Sequence, residues 1–159
     1  MEDPQKPAIR IFVDADACPV KNEVYRVAER YGLKVFVVAN SFMNVPRSDM
    51  IERVIVTQGA DVADDWIVER ATLNDIIITA DIPLAGRGVK NGVTVLSPTG
   101  KAFDDDAIGM ALATRNLMTD LRSAGAVTRG PPPLSRQDIS RFLQALDLAV
   151  VRLRRHGRA

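Results

Sequence analysis

Short apolar runs alternate along the chain with segments whose apolar positions recur every three or four residues. Ile9–Val13 is a nearly continuous hydrophobic run, the pattern of a strand covered on both faces. From Pro19 to Tyr31 the positions Val20, Val24, Val27, Ala28 and Tyr31 follow helical spacing, with Pro19 suited to a first turn and Gly32 to a left-handed stop. Leu33–Val38 reads as a second strand and Val54–Val56 as a third, joined by a long connection, Ala39–Met50, of the length that often carries function. Asp61 opens a second helix through about Thr72, with Ala63, Ile67, Val68 and Ala71 turned inward. Ile76–Thr79 is a fourth strand, followed by a short helical piece after Asp81 and an Asn91-Gly92 turn. Val93–Leu96 is a fifth strand. Asp104–Ala124 is a long amphipathic helix, Gly130-Pro131-Pro132-Pro133 a stiff break, and Ser135–Arg154 a last helix. Ser135 and Asp138 have the spacing of a capping box.

Strands alternating with helices predict an α/β fold, a three-layer α/β/α sandwich on a mostly parallel five-stranded sheet. The two C-terminal helices either pack around that sheet or form a small appendage. The expected organisation is a flexible N-terminus (1–8), one α/β domain including the C-terminal helices (9–150), and a basic tail (151–159). With 159 residues, 47% hydrophobic and 26% charged, the chain has the balance of an ordinary soluble domain. No apolar run approaches the ~18 residues of a membrane span, so no membrane association is expected. Cys18 is the single cysteine, which points to a reducing cytoplasm. The net charge of +1 conceals an asymmetry: residues 1–110 hold 17 acids and 12 bases, and residues 111–159 hold 3 acids and 9 bases. An acidic body joined to a basic C-terminal third suits a protein that gathers a cation on one face and phosphates on another.

Parallel sheets bind ligands beyond the carboxyl ends of their strands, and acids follow three of the predicted strands there. Asp14 and Asp16 follow the first, Asp61, Asp64 and Asp65 the third, and Asp81 the fourth. Asp61, Asp64 and Asp65 have the i, i+3, i+4 spacing of one helical face. Taken singly, Asp16, Asp61 and Asp81 are also natural helix caps, and Asp64 and Asp65 suit the positive end of a helix. Gathered together, ionised carboxylates repel unless a cation stands among them. Oxygen ligands select a hard ion, Mg²⁺ or Mn²⁺. The metal candidates are therefore Asp14, Asp16, Asp61, Asp64, Asp65 and Asp81, with Asp14, Asp16 and Asp81 the catalytic candidates.

Other chemistries lack their residues. The only histidine, His156, lies in the basic tail, which excludes a Ser-His-Asp triad and a histidine zinc site. A cysteine phosphatase loop needs an arginine where Val24 stands. Gly100-Lys101 lacks the first glycine and the hydroxyl of a P-loop, and Gly86-Arg87-Gly88 precedes a strand instead of opening a helix. Hydrolysis by metal-activated water remains. Lys21, Asn40, Ser41, Arg47, Arg115 and Arg129 are the candidates for holding substrate, the basic ones through phosphate. Five phenylalanines, two tyrosines and one tryptophan disfavour extensive base stacking, and Trp66 fits a packing role.

Asp14-Ala15-Asp16-Ala17-Cys18-Pro19-Val20-Lys21, Val38-Ala39-Asn40-Ser41, Ala63-Asp64-Asp65-Trp66-Ile67-Val68 and Thr79-Ala80-Asp81-Ile82-Pro83-Leu84-Ala85 resemble the bacterial YaiI/YqxD family of uncharacterised proteins. So do Arg115-Asn116-Leu117-Met118 and the 130–147 segment. The resemblance runs from about Ile9 to Leu148 and implies a PIN-like domain, the fold of nucleases that cut RNA or flap DNA at an acidic metal site. It places the first-strand aspartate of such sites on Asp14, beside Asp16. The later acids fall on Asp61, Asp64 or Asp65, and on Asp81. Thr128-Arg129-Gly130-Pro131 departs from the paired glycines expected in that linker, and Leu134 from an expected aromatic; Arg129 there would add a phosphate contact or restrict the loop.

The function expected is Mg²⁺- or Mn²⁺-dependent hydrolysis of RNA or single-stranded nucleic acid. Two alternatives stand beside it. Asp14-x-Asp16, Thr57 and Gly59-x-Asp61 with Asp65 mimic a haloacid-dehalogenase-type phosphatase, although that fold needs a helical turn and a hairpin after its first strand, where Pro19 leaves no room. The other alternative is a non-catalytic nucleic-acid- or protein-binding module on the same fold.

Overall fold

The computed structural model describes residues 8–59, 61–110, 112–113 and 134–156. Five parallel strands form one sheet in the order β3-β2-β1-β4-β5, with β1 (Arg10–Asp14) at its centre, β2 (Lys34–Ala39) and β3 (Ile51–Ile55) on one side, and β4 (Ile76–Ile78) and β5 (Thr94–Leu96) on the other. Branched and aromatic residues suit this pleated, doubly covered surface. Ile11, Val13, Val35, Val37, Ile76 and Ile78 point to one face, while Phe12, Val38, Ile77 and Val95 point to the other.

Helices cover both faces. On the first lie α1 (Lys21–Tyr31), through Val24, Val27 and Ala28, and α4 (Arg136–His156), through Phe142, Leu146 and Val150. On the second lie α2 (Val62–Arg70) and α3 (Ile82–Lys90), through Ile67, Leu84 and Ala85. Trp66 fills this second layer against Phe12 and Phe36, with ring centroids 6.0 and 5.7 Å away, in the packing role expected of it. The three-layer α/β sandwich is as the sequence predicts, and its sheet is parallel throughout. Among the described residues no helix is long and apolar enough to cross a membrane.

Local signals hold at several ends. Gly32 closes α1 in the left-handed conformation, φ 68°. Ser135 and Asp138 form the capping box, Asp138 Oδ2 accepting from Ser135 N at 3.0 Å and Ser135 Oγ from Asp138 N at 3.1 Å. Other expectations shift. The first helix starts at Lys21, two residues beyond Pro19, because a three-residue 3₁₀ turn, Ala15–Ala17, intervenes after β1. β3 begins at Ile51, before the expected Val54, since an edge strand tolerates the exposed Glu52 and Arg53. The final helix continues through His156. The basic tail expected at 151–159 is thus helical for most of its length, with Arg154 donating to Tyr31 O at 2.7 Å and lying over the Tyr31 ring. α4 is part of a layer and no appendage. Of the helix expected over 104–124, residues 105–110 and 112–113 are helical, with Asp104 Oδ1 accepting from Ala107 N; the remainder and the proline break lie outside the described residues.

Candidate metal centre

β1 pairs with β2 on one side and, after two further crossovers, with β4 on the other. That reversal opens a crevice at the carboxyl edge of the sheet, the ordinary ligand position of such folds. A hollow of ≈ 510 Å³ occupies it, lined by Asp14, Asp16, Asn40, Gly59, Asp61, Asp64, Ala80 and Asp81, with Ala63 beside them. Acids brought from three separate stretches of chain thus face one space.

Each is positioned by its local backbone. Asp14 ends β1, and its Oδ2 accepts from the hydroxyl of Thr79 at 2.8 Å, just past β4. Burial raises its pKa, the Thr79 hydrogen bond opposes that, and Asp81 and Asp16 add repulsion. Asp16 lies in the 3₁₀ turn and caps no helix. Its Oδ2 accepts from the backbone N of Asn40 at 3.1 Å, and from the Asn40 side-chain amide at 3.0 Å once that amide is turned nitrogen-inward. Asp81 both lines the hollow and caps α3, its Oδ1 accepting from Leu84 N at 3.0 Å.

Asp61 precedes α2 with φ 67°, in the left-handed region that asparagine and aspartate tolerate best, and its side chain makes no cap hydrogen bond. Asp61 and Asp64 both reach the hollow, but successive residues of α2 stand about 100° apart, so the face expected to hold Asp61, Asp64 and Asp65 divides between Asp64 and Asp65. Asp64 turns into the hollow and is only 9% exposed. Its pKa is raised to about 6 by burial, then by Asp81, Asp14 and Asp61, with Arg87 acting in the opposite sense. Asp65 turns away and pairs with Arg87 at 2.8 Å on the exposed side of the helix; it is not among the lining residues.

The predicted substrate contacts divide as well. Asn40 lines the hollow; Ser41, beside it in sequence, is exposed and does not. Lys21 Nζ donates to Cys18 O at 2.7 Å and to Ala15 O at 3.4 Å, bracing the 3₁₀ turn. Arg47 lines a different hollow of ≈ 450 Å³ with Gly32, Leu33 and Ile51, at the amino ends of β2 and β3. The connection must run from the carboxyl end of β2 to the amino end of the parallel β3, which carries Arg47 to the opposite edge of the sheet. Arg115 and Arg129 lie outside the described residues. Thr79 is the side chain in contact with this candidate site that sequence reasoning left out. Its signal is a lone hydroxyl ending the run Ile76-Ile77-Ile78, where it is buried. Cys18 is buried and its thiol pKa is raised by burial, as befits a small packing residue.

Among the described residues, no three His, Cys, Asp or Glu side chains are drawn together tightly enough to hold a metal ion outright. The hollow has room for water between its carboxylates, and Mg²⁺ characteristically keeps several waters while binding one or two carboxylates. An all-oxygen, acidic donor set of this kind fits a hydrated hard cation and does not fit a dry cage or a soft metal. Between Ala17 and α1 there is space for Cys18, Pro19 and Val20 alone. A three-residue 3₁₀ turn stands at Ala15–Ala17, where a haloacid-dehalogenase-type phosphatase needs a helical turn, and no hairpin follows it before α1.

Comparison with known proteins places this arrangement among relatives. Residues 12–152 match the family described as "Uncharacterized BCR, YaiI/YqxD family". The UPF0178 protein of Gluconacetobacter diazotrophicus is 60% identical over 149 residues, covering 94% of this chain and 97% of that one. The UPF0178 protein of Azorhizobium caulinodans is likewise 60% identical, covering 94% of each chain. That of Nitrobacter winogradskyi is 58% identical over 93% of this chain and 94% of its own. No solved structure matches. With a family match across nearly the whole sheet and its flanking helices, the chain belongs to the uncharacterised YaiI/YqxD family.

Proposed function

We propose that the protein is a Mg²⁺- or Mn²⁺-dependent phosphodiesterase acting on RNA or single-stranded nucleic acid in the cytoplasm, on a PIN-like domain. The observation that carries the reading is the convergence of Asp14, Asp16, Asp61, Asp64 and Asp81 on one hollow at the point where strand order reverses. Burial, and after it the charges of Asp81, Asp14 and Asp61, raise the Asp64 pKa to about 6, and among the described residues no lysine or arginine lines the hollow. Carboxylates in that state take up a divalent cation in exchange for protons.

Asp14 and Asp81, with Asp64 and Asp61 across the hollow, are the residues that would hold the ion, in part through water. When bound, such an ion makes water a better nucleophile at neutral pH and neutralises charge on a phosphoryl group. The chain's own groups supply order. Thr79 fixes Asp14, the N-terminus of α3 fixes Asp81, and Asn40 fixes Asp16. In the reaction a water oxygen bonds to phosphorus, the bond from phosphorus to one sugar oxygen breaks, and that oxygen leaves with a proton. Bases of the C-terminal third, Arg115 and Arg129 included, would follow the nucleic-acid backbone.

The test is Mn²⁺-dependent cleavage of labelled single-stranded RNA by the wild type and by Asp14→Asn. Cleavage should fall at least 100-fold in the variant with thermal unfolding intact. Equal cleavage by the two proteins refutes the assignment. The 3₁₀ turn Ala15–Ala17, which contains Asp16, favours the phosphatase alternative alongside the motif-like acids named above. Its sign would be an aspartyl-phosphate trapped on Asp14 after reaction with a phosphate monoester.

A further inference from the structure

Asp16 stands apart from the other acids of the hollow. The charges that reach Asp64 are those of Asp81, Asp14 and Asp61, and Asp16 is not among them. Its charge reaches Asp14, and there it acts more weakly than that of Asp81. The sheet explains the separation. Asp16 is tied to Asn40, which follows β2, whereas Asp81 and the Thr79 that holds Asp14 follow β4. β2 and β4 flank β1 on opposite sides, two strand spacings or about 10 Å apart. The hollow therefore has a β4 side, where carboxylates crowd, and a β2 side made of Asp16 and Asn40.

The β2 side is built to accept hydrogen bonds. Asn40 N donates to Asp16 Oδ2 at 3.1 Å, and the inward-turned amide donates to Oδ2 at 3.0 Å and to Oδ1 at 3.3 Å. A carboxylate has about four acceptor positions, so these contacts leave one open on an exposed side chain that faces the hollow. The turned amide also directs its own carbonyl oxygen away from Asp16. Lys21 braces the turn from behind, donating to Ala15 O and Cys18 O on either side of Asp16. A divalent ion is drawn to the β4 side, where repulsion is strongest, and the Asn40 donors occupy lone pairs it would need at Asp16. What the β2 side lacks is a neutral donor. Every ribose carries one in its 2′-hydroxyl, and deoxyribose carries none. Dinucleotide-binding sheets use a carboxylate in this way, to hold a ribose 2′-hydroxyl. Asp14 and Asp16 are two residues apart, at most about 7 Å of chain, so a phosphate at the ion brings its sugar within reach of Asp16.

We infer that Asp16, oriented by Asn40, accepts a hydrogen bond from a ribose 2′-hydroxyl of the bound strand and so makes the hollow select RNA over DNA. The inference rests on the proposed phosphodiesterase reading and deepens it by choosing between its two kinds of strand. Asp16 binds the sugar, Asn40 is a positioning residue, and neither takes part in bond cleavage.

The experiment measures binding of labelled 12-nucleotide RNA, 2′-fluoro RNA and DNA of one sequence by fluorescence anisotropy in Mn²⁺, on protein carrying Asp14→Asn to prevent turnover. RNA should bind about 10-fold more tightly than DNA, the effect of one hydrogen bond to a charged group at an exposed rim. The 2′-fluoro strand keeps the ribose shape without the donor and should bind like DNA. Adding Asp16→Ala removes a negative charge, which favours all three strands alike, so the ratio is the readout: RNA and DNA should come within about twofold of each other. Asn40→Ala, which frees Asp16 to turn, should lower the ratio in the same direction. In otherwise wild-type protein, Asp16→Ala should change Mn²⁺ affinity by no more than about threefold in calorimetry, as expected for one screened charge. An RNA preference that survives Asp16→Ala overturns the inference, and so does 2′-fluoro RNA that binds like RNA. A much larger loss of Mn²⁺ affinity also overturns it, by making Asp16 an ion ligand, as does absence of any RNA binding. Wild-type protein that cleaves RNA and DNA equally in Mn²⁺ sinks the sugar contact and leaves hydrolysis standing. Sugar-selective binding by a wild-type protein that never cleaves RNA refutes the hydrolytic reading and leaves the contact standing.

Discussion

Replacing Asp64 by asparagine tests the electrostatics of the hollow while keeping its shape. The carboxyl is 9% exposed, and its pKa rises from 3.8 to about 6 through burial and the charges of Asp81, Asp14 and Asp61. A folded-state pKa above the unfolded one means that the neutral form favours folding. That contribution is complete below about pH 4 and is lost as pH rises through about 6. Full ionisation then costs up to about 3 kcal/mol from the size of the shift. The hollow is open to water, which screens the repulsion and reduces the cost to about 1–2 kcal/mol. In chelator-treated protein at pH 8, Asp64→Asn should therefore be more stable than the wild type and melt about 3–6 °C higher. At pH 4.5 the two should nearly coincide. Mn²⁺ at a hundred times its dissociation constant should return about 2.7 kcal/mol to the wild type and less to the variant, closing the gap. Urea or thermal unfolding of both proteins from pH 4.5 to 8, with and without Mn²⁺, supplies the measurement. A variant no more stable at pH 8, with a difference that does not vary with pH, would refute the account of the hollow as a site of crowded charge.

Thr79→Val removes the hydrogen bond to Asp14 at nearly constant volume, so Asp14 should titrate higher still and Mn²⁺ affinity should fall about tenfold, read by calorimetry, with folding retained. Asp75 lies at the other end of β4, fully buried, where it accepts from Arg10 N, Nε and Nη2 and from Thr72 N and Oγ1. Asp75→Ala should cost about 3 kcal/mol in urea unfolding and leave metal binding untouched. Gly100→Ala places a methyl 2.7 Å from the Arg141 backbone at φ 88°, and should lower the melting temperature by several degrees as α4 is pushed off the sheet. Arg47→Ala, at the far edge of the sheet, should leave RNA cleavage within about twofold of wild type, since it lies apart from the hollow.

The layers and the acidic rim were legible because both follow from simple periodicities. Ile11, Val13, Ile76 and Ile78 alternate with Phe12 and Ile77, and a strand buried on both sides has to be apolar at every position. Acids immediately after such strands fall at one edge whenever the strands are parallel. Rotation about the helix axis was less legible. Successive residues of a helix stand about 100° apart, so turning Asp64 into the hollow carries Asp65 out of it, and residue identity alone did not say which acid faces inward. The place of Arg47 was implicit in the parallel pairing of β2 and β3, but proximity to Asn40 in sequence suggested the wrong edge. Thr79 was hidden because a hydroxyl inside an apolar run reads as part of the strand until its partner, 65 positions away, is known.

That separation has a consequence for synthesis on the ribosome. The two strands that frame the crevice are the first and fourth, so the emerging chain has no crevice at all until residues 76–81 have cleared the exit tunnel and slotted in against the central strand. Until then Asp14 stands at an open sheet edge, facing solvent with nothing opposite it. A nascent chain therefore cannot close the crevice before its fourth strand has emerged, and any fragment ending before β4 should lack it.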